Sequence, residues 1–253
     1  MGVGDENVFK VDIEKAKMFL EFGCIKQYGK SCCLLSGILR EQDKHTESKG
    51  FWLEAQRLLT RDCEFNNEPN ACMFWGLELL ASSDDPVVDY PVALRFLERG
   101  CKLGQPVCCV NAGVIVLKYL NDGEKAIKYF EKGCELENGD ACWLYGEQIE
   151  RNESSNTEYT ENPTDLYKKA CDLNCLEGCV AHGANMIRNG KFDMGLESLT
   201  KACDRGDANG CELGGMILTS LDKITHASQM FERGCTLGSD DCCQHLKNQS
   251  TKE

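Results

Sequence analysis

The sequence lacks any apolar run of the roughly 18 residues that a membrane-spanning helix needs. It also lacks the alternation of apolar and polar residues that marks strands, so helix is the regular element left. Basic charge is short: 28 lysines and arginines face 41 acidic residues, a formal net charge of −13. A field of that sign disfavours nucleic acid and anionic membrane surfaces. The N-terminal stretch has no apolar signal core and no Arg- and Ser-rich presequence, and Glu6 stands where a myristoylation signal has Ser or Thr. No cleavable address is therefore expected. Histidine is scarce, and His45, His182, His226 and His245 show no metal-binding spacing. His182 holds a place taken by Trp75 and Tyr145 in other parts of the chain, which reads as packing. Two catalytic patterns come close and fail. Gly23, Gly29, Lys30 and Ser31 approach a P-loop, with one residue too many and no preceding strand. Ser198-Leu199-Thr200-Lys201 has the S-x-x-K form of penicillin-recognising enzymes but no S-D-N or K-T-G companion, and Ser198 stands where a core Leu or Phe is otherwise found. No catalytic residue, cofactor site or metal site is expected.

What the chain has in excess is cysteine, 18 residues of it, set in a repeat. Seven nine-residue windows end in cysteine: Ala16–Cys24, Ala55–Cys63, Ala93–Cys101, Ala126–Cys134, Pro163–Cys171, Gly195–Cys203 and Ala227–Cys235. A second cysteine follows in each case, namely Cys33, Cys72, Cys109, Cys142, Cys179, Cys211 and Cys243. Successive second cysteines are 39, 37, 33, 37, 32 and 32 residues apart, a period at which each repeat is one supersecondary unit that buries its core by stacking on its neighbours. Four residues after the second cysteine stands a glycine (Gly37, Gly76, Gly113, Gly146, Gly183, Gly215), except in the last copy, which has Lys247. Bulky apolar pairs such as Phe19/Leu20, Phe96/Leu97 and Tyr129/Phe130 precede the first cysteine and make a helical stripe. Turn formers such as Glu137-Asn138-Gly139-Asp140 lie between the two cysteines. Each unit therefore reads as helix, turn, helix, with repeat hairpins near 12–42, 50–81, 88–120, 122–150, 163–188, 192–219 and 222–248 in a single array over 1–253. The segments Glu41–Gly50 and Ser82–Pro91 read as connections, and the polar stretch 149–165 as an acidic insert loop.

Antiparallel packing of the two helices brings the cysteines of a hairpin within disulfide reach. The expected pairs are Cys24 with Cys33, Cys63 with Cys72, Cys101 with Cys109, Cys134 with Cys142, Cys171 with Cys179, Cys203 with Cys211, and Cys235 with Cys243. The competing reading is a set of reduced, buried, small apolar residues at the helix crossing; zinc fails on spacing. Cys32, Cys108, Cys175 and Cys242 are left over. Cys32, Cys108 and Cys242 precede the second cysteine, where other copies have Ala or Gly, so they read as small residues tucked against the neighbouring helix. Each could also replace its neighbour in the bridge. Cys175 falls in a turn, where a third thiol invites reshuffling.

The unit of Ala, two bulky residues, Gly-Cys or Ala-Cys, seven residues, Cys and then Gly resembles the cysteine-rich branch of Sel1-like repeat proteins, over nearly the whole chain. The resemblance implies an all-α, right-handed α/α solenoid of about seven Sel1/TPR-like helix-pair repeats, stapled by disulfides. It also implies a non-catalytic protein-binding scaffold. One arm of that family is mitochondrial and serves respiratory-chain assembly, that of cytochrome c oxidase, in the intermembrane space. The other is secreted and bacterial, with members described as penicillin-binding or β-lactamase-like. The missing signal and dense cysteines point to the mitochondrial arm, with respiratory-chain subunits or assembly factors as partners, no nucleic acid, no membrane segment and a monomeric state. The alternatives are a secreted protein with weak β-lactam chemistry and an adaptor of the cytosol or endoplasmic reticulum.

Overall fold

The computed structural model describes residues 12–81, 86–152 and 161–250. The regular structure they form is helical: α1 (Ile13–Ile25), α2 (Gly29–Glu41), α3 (His45–Glu64), α4 (Pro69–Ala81), α5 (Pro86–Lys102), α6 (Pro106–Ile115), α7 (Gly123–Glu135), α8 (Gly139–Asn152), α9 (Pro163–Asp172), α10 (Leu176–Arg188), α11 (Phe192–Asp204), α12 (Ala208–Ser220), α13 (Ile224–Thr236) and α14 (Asp240–Ser250). A π-helical turn, Val116–Leu120, extends α6 and ends on Asn121 in the left-handed conformation. The fold is an α/α solenoid of helix-pair repeats, and it divides into two units, 1–108 and 109–253.

Every odd-numbered helix begins a repeat and ends in the first cysteine's turn. The chain then reverses through one residue of positive φ: Gln27, Asn67, Gly104, Glu137, Asn174, Gly206 or Gly238. That residue lets the next N–H reach back to the carbonyl just before the first cysteine, as in Asn138 N to Gly133 O at 3.1 Å and Asp207 N to Ala202 O at 3.0 Å. Asn138, Cys175 and Asp207 then cap the following helix by accepting from Ala141 N, Gly178 N and Gly210 N. Glycine, asparagine and a capping side chain thus turn the chain within a few residues, which is why the hairpins are tight.

Between repeats, the bulky residue four before a first cysteine seats on a glycine of the preceding helix. A Cβ on Gly76 would lie 2.7 Å from Leu97 Cγ, one on Gly146 2.7 Å from Tyr167 Cε1, and one on Gly215 2.6 Å from Phe231 Cε1. In the first unit the core gathers Leu58, Leu59, Trp75 and Phe96 around the cysteines, and in the second Met230, Phe231 and Leu218 do the same near its end.

Two connections are shorter than the sequence suggests. His45–Gly50 belongs to α3, where Ser36 and Ser48 hold the added turn by hydroxyl-to-carbonyl bonds of 2.9 Å in both directions. Pro86–Pro91 likewise belongs to α5. The expected insert 149–165 shrinks, since α8 runs to Asn152 and Asn162 caps α9; the stretch 153–160 lies outside the described residues.

Candidate functional site

Bridges join the two helices of a hairpin at Cys24–Cys32, Cys63–Cys72, Cys134–Cys142, Cys171–Cys179, Cys203–Cys211 and Cys235–Cys243. Their Cα atoms lie 4.3–4.8 Å apart, as side-by-side helix ends require. In each, the second half-cystine is the fourth residue of its helix and the fifth after the left-handed turn residue.

That rule corrects the expected Cys24–Cys33 pair. Gln27 is the turn residue of the first hairpin and α2 starts at Gly29, so Cys32 occupies the bridging place and Cys33 is free. The residue tucked before the bridge is Ser31, which a Cβ on Gly23 would meet at 2.4 Å. The glycine register moves with it. Ser36 holds the fourth position after the bridging Cys32, where later copies have glycine, and bonds Ser48; a Cβ on Gly37 would meet nothing within 4 Å, and the glycine of α2 set against Leu59 is Gly29, at 2.7 Å.

Cys33, Cys108, Cys175 and Cys242 are free and buried. A Cβ on Gly100 would lie 2.4 Å from Cys108 Sγ, and one on Gly234 equally close to Cys242 Sγ, so these two thiols fill the space opposite a glycine. Where the first helix has alanine instead, the second has glycine: Ala170 faces Gly178 and Ala202 faces Gly210. Burial pushes the Cys108 and Cys175 thiols up to about 12. Cys33 rises to about 12 as well, by burial first and then by the Glu78 carboxylate beside it. Cys175 stands at the N-cap of α10, where its sulfur accepts from Gly178 N at 3.4 Å and approaches Glu177 Oε2 at 3.5 Å. Its sulfur and carboxylate oxygens of Asp140 and Glu177 lie within 4.8 Å of one another. We expect native alkylation at neutral pH to leave all four thiols unmodified, because the thiolate is the reactive form and the sulfurs are buried. Denaturation without reductant should add a label at each, on Cys33 rather than Cys32, as fragment-ion mass spectrometry would read. A label on Cys32 would refute the bridge assignment.

A cation stands two residues before the first cysteine of every repeat but the first: Arg61, Arg99, Lys132, Lys169, Lys201 and Arg233. Arg99 shows its use, donating to Cys63 O at 2.8 Å, Glu64 O at 2.6 Å and Asn67 Oδ1 at 2.8 Å, the carbonyl end of the preceding first helix. Lys201 reaches Asp172 at 3.1 Å, and Arg233 reaches Asp204. The position recurs in the windows, but a lone basic residue on a helix is ordinarily a solvated one, so spacing alone does not mark this role.

Ser198 and His182 are both buried, with Ser198 Oγ and His182 Nδ1 2.8 Å apart. Burial first, and then Lys168, holds the imidazole below its ordinary value, so it sits neutral beside the hydroxyl. Lys201, the partner an S-x-x-K site needs, turns instead to Asp172. In the P-loop-like stretch, Lys30 lies over the Phe74 ring at 5.2 Å. A polar group that sequence patterns gave no hint of lies in the second unit. Glu150 accepts from Tyr167 Oη at 3.0 Å and from Asn185 Nδ2 at 2.8 Å, and Asn185 Oδ1 accepts from Thr164 and Asn189. Glu150, Thr164, Asn185 and Asn189, with Asn162 and Arg188, line an open cavity of about 390 Å³. The Tyr167 hydroxyl is raised by burial and then by Glu150. Among the described residues no helix is long and apolar enough to cross a membrane.

No family model and no curated protein matches the chain. Solved structures do. A protective antigen of uropathogenic Escherichia coli displaying an SLR fold aligns with a TM-score of 0.64 at 14% identity, over 92% of this chain; the chain spans 58% of that protein's length. A Sel1 repeat protein from Oxalobacter formigenes aligns at 0.60 and 19% identity, over 81% of this chain and 87% of its own. The chain therefore has the fold of the Sel1-like repeat proteins.

Proposed function

We propose that the protein is a non-catalytic binding scaffold of an oxidising compartment, and that it assists assembly of respiratory-chain complexes, cytochrome c oxidase above all, in the mitochondrial intermembrane space. The carrying observation is that the repeat hairpins are fixed one by one by bridges, which presents a preorganised surface to a protein partner at little conformational cost. The Cys101–Cys109 pair completes the proposed set of seven. The cavity around Glu150 and Asn185 is the candidate contact place, because a carboxylate and amides can take up lysine side chains and backbone groups of an extended peptide. Ser198 supports the β-lactam reading poorly, being buried against His182 with its lysine turned away.

The test is alkylation-trapped mass spectrometry of the protein from its native cells, followed by native-gel analysis of cytochrome c oxidase after its depletion. Bridged hairpins together with loss of the assembled oxidase support the proposal. Eighteen free thiols would sink the compartment, and an unchanged oxidase would sink the assembly role.

A further inference from the structure

The first helix breaks the polar pattern that its six counterparts share. Two residues before the first cysteine they carry Arg or Lys, and α1 carries Phe22. Six before it they carry Arg57, Arg95, Lys128, Asp165, Glu197 and Gln229, and α1 carries Met18. One after it they carry Glu64, Lys102, Glu135, Asp172, Asp204 and Thr236, and α1 carries Ile25. Met18, Phe22 and Ile25 are spaced by four and three, which puts them on one helical stripe. Phe19 joins them. Its counterparts Leu58, Phe96 and Leu166 are buried, whereas Phe19 is 76% exposed. Met18, Phe22 and Ile25 are 69%, 61% and 78% exposed.

A solenoid's end repeats ordinarily turn a polar face outward, and the other end here does: α14 has Lys247 in the glycine seat and no exposed large apolar residue among those described. Polar residues at three positions of α1 have thus been replaced by large apolar ones at the very face that each later first helix uses against its predecessor. A bare face of this size calls for a cover.

We infer that this face is a dimer interface, α1 packing antiparallel on α1 of a second copy. Three observations select that occupant. The polar α14 lacks the glycine seat for Leu20, so head-to-tail stacking of copies is unsuited. The centre of the stripe is its own complement: about a two-fold axis near Leu20, Met18 of one copy lies beside Phe22 of the other, while Ile25 comes level with the aliphatic stem of Lys15. The same axis sets Glu14, which bonds Lys17 of its own helix at 3.4 Å, near Lys26 of the second copy, which lies over its own Phe22 ring, so the flanking charges are of opposite sign on both sides of the axis. The contact is a single helix pair, small beside the roughly 1,200–2,000 Å² of stable interfaces, so the dimer is a weak, concentration-dependent one.

Sedimentation equilibrium of the full chain tests it. The 28.2 kDa chain should double in apparent mass as concentration rises through about the micromolar to 100 µM range expected of a small interface. Phe22→Arg and Ile25→Glu, each restoring a residue that later helices carry, should abolish the doubling while leaving the circular dichroism spectrum unchanged, since both side chains are exposed. Met18→Gln, milder, should raise the dissociation constant several-fold. A chain that stays at its monomer mass at the top of that range overturns the inference. So does a dimer that both variants leave intact. A monomer whose α1 variants lose binding to phosphatidylcholine vesicles would assign the face to lipid and overturn it as well.

Discussion

Reducing the bridges should unfold the second unit or lower its melting temperature by about 20 °C or more. That unit holds Cys134–Cys142, Cys171–Cys179, Cys203–Cys211 and Cys235–Cys243, each spanning eight residues. Closing so short a loop restricts the unfolded chain by about 2–3 kcal/mol in the polymer model, and four closures come to about 10 kcal/mol. The whole stability of an ordinary domain is about 5–15 kcal/mol, and a change of 1 kcal/mol moves the midpoint of a chain this size by about 2–4 °C. The bridges therefore contribute on the scale of the whole net stability. Circular dichroism melts with and without a phosphine reductant, the redox state being checked by mass, measure this. The argument fails if the fully reduced protein melts where the oxidised one does. Removing one staple by Cys134→Ala with Cys142→Ala should cost about 2–3 kcal/mol on the same reasoning.

Gly113 and Gly37 should respond to a larger residue in opposite directions. A Cβ at Gly113 would come within 2.5 Å of Phe130 Cε1, and Phe130 is fully buried with no room to retreat. Gly113→Val should cost about 3 kcal/mol through overpacking. At Gly37 the same Cβ meets nothing within 4 Å, and the residue lies inside α2. Gly37→Ala should therefore gain about 0.5–1 kcal/mol from helix propensity alone. Urea titrations of the two variants decide it. Equal losses at both positions would show that Gly37 is packed as tightly as Gly113.

That contrast also marks where the sequence could be read and where it misled. The helix pairs were legible because the Ala, the bulky pair and the cysteines recur with a period that only stacked hairpins satisfy. The first hairpin was misread because glycine and a second cysteine agree on the wrong register: Cys33 and Gly37 keep the spacing of four seen in the later repeats. The backbone decides otherwise. Gln27 adopts positive φ, a conformation that neither its identity nor its neighbours advertise, and from it the fourth position of α2 falls on Cys32. The connections were overestimated for a related reason, since the reciprocal bonds of Ser36 and Ser48 that extend α3 pair residues twelve apart, beyond any local pattern. The polar cluster at Glu150 joins three helices and left no trace in spacing at all.

Each observed staple closes within a hairpin, eight or nine residues from its partner. The correct partner thus lies within the same hairpin, and a hairpin can oxidise before its neighbours exist. A protein wired in this way can gain or shed a repeat without rerouting a single bond, which makes its length a free variable in descent while its covalent pattern stays intact.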